Sequence, residues 1–373
     1  MCLACLDLSD RFTNSNGWSA SRDSGGGPLS IPAYDDPQVT ISPEGDDARW
    51  YFDGRQFDGP TLSVPATGDA RIDGMLSGVK WNLVTATFSF PDEATDYEAS
   101  YPGNAPNEGF AQISAQQQAL LRLAMDSTNY ISVEGFTLLN FVDNGVSNDA
   151  TIRSAMSTDA GGSAYAYYPS TSFTGGDMWF GPTSSYNYAT STRGNHGWRS
   201  TLHELGHALG LKHAHETGGP ANVAVPAAFN HHEYTVMSYL SYQGSTTGYT
   251  NETWGTPQPF MMLDIAALQY MYGADFTLNG TNSVYTFSPT TDEMFINGVG
   301  QGAPGGNRIF QTVWDGNGVD TFDLSNYTTN LQVDLRPGEA SLFSTLERAQ
   351  LGPPSSPAAT STTPCSTTAT PVR

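Results

Sequence analysis

Cysteine is scarce, with three in 373 residues, at positions Cys2, Cys5 and Cys365. A disulfide framework is therefore excluded as the source of stability. The pair Cys2-x-x-Cys5 could form a thiol pair or an isolated metal site, but it lacks a second half and the flanking pattern of a redox domain. No run approaches the ~20 apolar residues that a membrane-spanning helix needs. The opening Met-Cys-Leu-Ala-Cys-Leu is too short and too uncharged for an ordinary secretory signal. Basic residues are also few, 15 Lys and Arg against 37 Asp and Glu, for a net charge of −22. Such a chain repels phosphate, which argues against nucleic acid and anionic membrane as partners. The excess of carboxylates fits a well-solvated, salt-tolerant surface, with calcium binding as one further use. The length leaves room for one large domain or two smaller ones.

Histidine is rare as well, seven in all, yet three fall within residues 201–213, Thr-Leu-His-Glu-Leu-Gly-His-Ala-Leu-Gly-Leu-Lys-His. On a helix, positions four apart stack on one face, so His203 and His207 can grip one metal ion. Glu204 lies about 100° round the same helix, placed to touch a water on that metal rather than to ligate it. Gly210 tolerates the left-handed backbone that stops a helix and turns the chain. His213 then returns as the third ligand. Three neutral imidazoles with an open fourth position are what a catalytic zinc requires, since the metal brings its bound water toward a pKa of about 7.

Residues 10–67 are rich in Gly, Ser, Pro and Asp and read as a loosely ordered leader, with the folded part expected from Arg71. Residues 84–90 alternate as a strand does. Ser114 opens a helix, with Gln117 completing a capping box and Leu120, Leu121, Ala124 and Met125 facing the core. Residues 136–142 and 150–156 read as two further strands. Residues 161–169, bracketed by a glycine pair and a proline, read as a short aromatic edge strand. Such an edge beside a metal site can seat an extended peptide as one more strand; the alternative is an ordinary edge covered by a loop. Residues 177–180 form the last strand before the motif, and 259–273 a second helix with Pro near its start and Gly at its end. Beyond Asp275 short strands dominate, at 284–287, 309–314, 321–324 and 331–335.

Residues 203–213, with Met237 in Val-Met-Ser-Tyr some way downstream, resemble the metzincin zinc proteases. The stretches 72–81, 164–169, 176–180, 264–269 and 314–325 bring the resemblance closer to the serralysin branch, peptidase family M10, over residues 71–339. It implies an α+β fold: a metzincin catalytic domain with a twisted, mostly parallel sheet, an edge strand over the cleft, a zinc helix and a methionine turn. The implied divisions are a leader or pro-segment at 1–70, the catalytic domain at 71–275, a partial calcium-binding β-roll-type region at 276–347 and a disordered Ser/Thr/Pro-rich tail at 348–373. Family members continue into G-G-x-G-x-D-x repeats and an export signal. These repeats do not follow here, so truncation, a shifted frame or a fragment is expected.

By resemblance, His203, His207 and His213 hold Zn2+, Glu204 is the general base, and Met237 forms the floor of the site. Tyr239 corresponds to the tyrosine that reaches the metal at rest and then swings away to stabilise the oxyanion. Asp315 and Asp320 would offer side chains to Ca2+ and Asn317 and Gly318 carbonyls, faced by Asn279, Thr281 and Ser283. His196, His215, His231 and His232 sit off the motif's spacing and read as free or supporting residues. The implied function is a secreted bacterial zinc endopeptidase, a monomer, that seats substrate along Ala164, Tyr165, Ala166 and Tyr167. Its partners would be protein or peptide substrates and a protein inhibitor, with no nucleic acid and no membrane. The alternatives are a calcium-dependent extracellular binding module with a non-catalytic zinc site, or an inactive truncated protease.

Overall fold

The computed structural model describes residues 50–52, 55–57, 61–183, 187–248, 250–336, 338–352 and 363–364. Cys2, Cys5, Cys365, most of the expected leader and most of the expected tail lie outside them.

The main sheet is built from β1 (Thr85–Ser89), β2 (Ala111–Gln112), β3 (Asn140–Asp143), β4 (Ile152–Met156), β5 (Ala164–Ala166) and β6 (Asp177–Phe180). Its order is β3-β1-β4-β6-β5, with β2 paired to β4 off this path. β3, β1, β4 and β6 run parallel, while β5 is antiparallel to β6, with Met178 opposite Ala166 and Phe180 opposite Ala164. A mostly parallel sheet with an edge strand is as expected, and the structure adds that the edge strand runs antiparallel.

Why this sheet is rigid follows from its two covered faces. Every residue of β4 and β6 is buried. Ile152, Met178 and Phe180 enter the main core, whereas Ala155 and Trp179 pack on the opposite face with Tyr97 and Tyr101. A fully buried ion pair joins the two strands on that second face, Arg153 Nη2 to Asp177 Oδ2 at 2.7 Å. Tyr101 donates to the same carboxylate and receives the Trp179 indole N–H, so its charge is shared over several donors.

Helix α1 (Ala115–Met125) has the capping box read from sequence: the Ser114 hydroxyl accepts from Gln117 N, and Gln117 Oε1 accepts from Ser114 N. Gln117, Leu121, Ala124 and Met125 are its buried residues, with Leu120 only partly buried. Residues 136–142 differ from expectation. A helical turn, α2 (Val133–Phe136), comes first, and the strand is delayed to Asn140. Both the amide and the hydroxyl of Thr137 bond to the Val133 carbonyl, closing that turn. Helix α3 (His196–Ala208) carries the histidine motif, and α4 (Met262–Tyr272) is buried almost all round.

A second sheet follows, from β7 (Val284–Phe287), β8 (Met294–Ile296), β9 (Val299–Gly300) and β10 (Thr321–Phe322), in the order β9-β8-β7-β10. Two expected strands do not form. Residues 309–314 are buried but divide their backbone bonds: Gln258 donates to Phe310 O, and Ile309 donates to Glu347 O. Residues 331–335 make only an isolated bridge, Gln332 to Leu342. In 309–314 the apolar residues mark burial against separate segments rather than one ladder, whereas Leu331 and Val333 are exposed.

The expected boundaries also shift. Thr61–Ser63 pairs antiparallel with Val79–Trp81, and Val64 is buried in the main core, so ordered structure precedes Arg71. At the other end Ala349 and Leu351 are completely buried, and Thr363–Pro364 pairs with Ala340–Ser341. Residues 348–352 are therefore packed chain, because their apolar side chains find a place in the core. That core is continuous from Val64 to Leu351. Among the described residues no helix is long and apolar enough to cross a membrane.

Candidate metal centre

The motif's local geometry follows from its two ends. Asn195 caps α3, its side chain accepting from Trp198 N at 2.9 Å. At the other end Gly210 takes φ +104°, Gly210 N donates to His207 O and Leu211 N donates to Gly206 O. That bond pair is a Schellman stop, which reverses the chain after the second histidine. A Cβ on Gly210 would lie 2.4 Å from Val79 O, so close approach as well as backbone sign demands glycine there.

His203, His207 and His213 are brought together, with one ligand atom from each within 4.8 Å of the others. His203 Nδ1 faces Val236 O at 2.9 Å and His207 Nδ1 faces Leu211 O at 2.8 Å. A carbonyl only accepts, so each Nδ1 carries its hydrogen and each Nε2 presents a lone pair. His213 Nδ1 meets Glu216 Oε1 at 2.9 Å, which gives the third ring the same orientation. His207 Nε2 and His213 Nε2 are then 3.0 Å apart. Two such lone pairs face each other well only when a cation lies between them.

Burial keeps the two helical rings, His203 and His207, neutral. The His203 imidazole is held well below its ordinary pKa by loss of water, and His207 down to about 4 by burial and its neighbour His213. Neutral nitrogen donors, oriented by acceptors on their far sides, fit a zinc-type ion. Glu204 is 5% exposed, and burial pushes its carboxyl up to about 8, with Arg199 opposing that rise.

Met237 is completely buried, and a Cβ on Gly206 would fall 2.7 Å from its sulfur, so the thioether lies directly against α3 at the turn that carries His203 and His207. Tyr239 is 47% exposed, and its hydroxyl reaches His213 Nε2 at 2.8 Å. The cleft above has a volume of about 250 Å3, and Ala164, Tyr165, Ala166 and Tyr168 form one wall. Tyr167 is not on that wall. Its ring packs with those of Tyr101 and Tyr165 on the other face, because side chains two apart on a strand share a face, so Tyr165 borders the cleft without its ring.

Several contributors were not anticipated from the sequence. Asp264 accepts from Thr235 Oγ1 at 2.6 Å, Val236 N at 2.9 Å and Met261 N at 2.8 Å, which fixes the turn before Met237. Its one sequence signal is position, an acid three residues into a helix, where it caps the first turn. Arg199 donates to Val236 O and, with His196 and Ser200, lines the cleft. Lys212 Nζ gathers the carbonyls of Gly74, Glu216 and Val223 around the loop that returns His213. Tyr168 sets its ring edge-on to His207 at 5.5 Å. Of the other histidines, His215 lies 4.9 Å from the Tyr239 ring, and His231 Nδ1 is 3.4 Å from Glu233.

The expected calcium residues sit in the second sheet. Ser283 N donates to Asp320 Oδ1 at 3.0 Å, Asn317 N donates to Asp315 Oδ1, and Tyr285 donates its hydroxyl to Asp315. A Cβ on Gly318, which has φ +121°, would fall 2.6 Å from Thr281 O, so the two expected loops do meet. Burial raises both carboxyls, Asp315 to about 7.

A mixed α/β frame carrying three convergent imidazoles and a buried glutamate at the floor of an open cleft has the architecture of a zinc-hydrolase type of site. Sequence comparison narrows this class. The family description "Peptidase M10 serralysin C terminal" matches residues 274–348. Serralysin C of Dickeya chrysanthemi is 30% identical over 301 residues, 76% of this chain and 58% of its own length. Metalloprotease AprA of Pseudomonas entomophila (strain L48) is 31% identical over 235 residues, covering 61% and 47% respectively. Serralysin G of Dickeya chrysanthemi is 29% identical over 311 residues, covering 78% and 61%. The chain is serralysin-like, of the M10 peptidase group. It spans about half the length of the curated relatives it matches.

Proposed function

We propose that the chain is an extracellular zinc-dependent endopeptidase in which His203, His207 and His213 hold the metal. The observation that carries this reading is the orientation of the imidazoles: each Nδ1 meets an acceptor, so each Nε2 is left for one shared ion beside buried Glu204. When bound, the ion supplies Lewis acidity at a carbonyl oxygen and a water of lowered pKa.

The remaining work belongs to the chain. The β5 edge, Ala164 to Ala166, lies at the end of the sheet order and lines the cleft, so an extended substrate can add to it by main-chain hydrogen bonds. Glu204 takes a proton from the attacking water and delivers it to the leaving amine nitrogen. Its raised pKa suits a group that must both accept and return that proton. Tyr239, exposed and hydrogen-bonded to His213 through its hydroxyl, can turn that hydroxyl toward the developing oxyanion. Met237 supports the rings from below without touching the reacting atoms.

Ca2+ is proposed between the 279–283 and 315–320 loops, where Asp315 and Asp320 would be its carboxylates and the carbonyls of Asn317 and Gly318 further oxygens. In that role it would fasten the second sheet to the rest of the core. Protein or peptide substrates and a protein inhibitor are the partners this reading admits.

Hydrolysis of casein by the purified chain, and its loss on addition of a zinc chelator, tests the proposal. Casein left intact by zinc-loaded protein would count against it. A binding module with a structural zinc would close the fourth metal position with protein; among the described residues no fourth His, Cys, Asp or Glu joins the three.

A further inference from the structure

Resting on the endopeptidase reading above, we propose that Arg199 makes this a protease selective for substrates with Asp or Glu beside the scissile bond. The subsite concerned lies at the end of the cleft toward Ala164.

Arg199 stands one helical turn before His203 and lines the same cleft as the three histidines, together with His196, Ser200 and Tyr188. It is 6% exposed, so a charge there acts in a medium far less screening than water. Its Nη1 donates to Val236 O at 3.2 Å, which fixes the plane of the guanidinium against the turn that carries Met237. A guanidinium presents five N–H donors in a planar fork suited to a carboxylate.

The rest of the lining favours the same occupant. Among the described lining residues Glu204 is the only carboxylate, against Arg199 and the metal centre. His196 is the first residue of the thirteen-residue α3, so the positive end of that helix lies at this end of the cleft. Burial and Arg199 push the His196 imidazole down to about 3, leaving it a neutral ring able to hydrogen-bond an anionic side chain. The far end differs in character: Tyr168 sits against His207 there and offers an aromatic face.

The experiment uses the full chain loaded with zinc. A mixed synthetic peptide library is digested and the cleavage sites are read by mass spectrometry. Matched peptides carrying Asp or Asn, and Glu or Gln, at the selected position then give kcat/KM ratios for wild type, Arg199→Gln and Arg199→Lys. Wild type should prefer the acid by about 10- to 100-fold, the discrimination of one charged hydrogen-bonded contact. Arg199→Gln should bring that ratio to within about twofold, and Arg199→Lys should restore part of it. If Arg199 only supports the methionine turn, Arg199→Gln would lower both members of each pair alike and leave the ratio standing, which overturns the inference. Cleavage without acid preference at any position overturns it too, while leaving the endopeptidase reading intact. Zinc-loaded protein that cuts no peptide at all overturns both.

Discussion

Replacing Asp264 by alanine should loosen the metal site from behind. The Asp264 carboxyl, completely buried, accepts from Thr235 Oγ1, Val236 N and Met261 N. In the alanine variant the threonine hydroxyl can rotate, but the two amides are left buried and unsatisfied, at a cost of about 1–3 kcal/mol each. The expected loss is roughly 2–6 kcal/mol, or a fall in Tm of about 3–10 °C for a chain of this size. The same residue that Asp264 holds by its N–H offers its carbonyl, Val236 O, to both His203 Nδ1 and Arg199 Nη1. Zinc affinity should therefore fall by about tenfold or more, as it does when outer partners of a metal ligand are removed. Asparagine should behave differently. Its carbonyl can take both amides, while its NH2 donates to Thr235 Oγ1, as a protonated Asp264 would. Calorimetric melting of the metal-free chains and zinc titration against a chromophoric chelator measure both effects. An alanine variant melting within about 2 °C of wild type, with unchanged zinc affinity, would refute the reasoning.

The Asp264 carboxyl also sets a pH dependence: burial raises it to about 7, so the folded chain holds a proton that the unfolded chain has released. Its contribution is greatest below the unfolded pKa of about 3.9 and is lost as pH rises through about 7, so Tm of wild type minus Tm of Asp264→Asn should decrease from pH 5 to pH 8. A difference that does not change with pH contradicts this. Gly210→Ala meets both a left-handed backbone and Val79 O, and should cost upward of about 1 kcal/mol in chemical denaturation and weaken zinc binding through His213. Tyr239→Phe should keep zinc and fold but lower kcat by about 10- to 1,000-fold with little change in KM, since it removes a donor used only at the oxyanion. Ser114→Ala should destabilise by about 0.5–2 kcal/mol through loss of the α1 cap, with peptide hydrolysis unaffected.

How much of this was legible in the sequence depends on how local the cause is. The gathering of His203, His207 and His213 rests on helical spacing plus one glycine, and both signals are local. The α1 cap and the end of α4 at Gly273 were legible for the same reason. Residues 309–314 misled because periodicity reports burial, and here burial is achieved without a ladder. Strand position alone puts Tyr165 and Tyr167 at the cleft, whereas two-residue alternation turns both rings to the opposite face. Asp264, Arg199 and Lys212 act on carbonyls and amides distant in sequence, so nothing next to them declared their roles. Composition reads residues 348–352 as tail, although Ala349 and Leu351 are packed into the core.

Zinc content and peptidase activity of the purified full chain, measured together for wild type and Glu204→Gln, test the central claim most directly. The account predicts close to one zinc per chain in both proteins, casein hydrolysis by wild type, and hydrolysis lowered by several orders of magnitude in Glu204→Gln. A wild-type chain that binds no zinc, or a Glu204→Gln variant that cleaves casein at the wild-type rate, would contradict it.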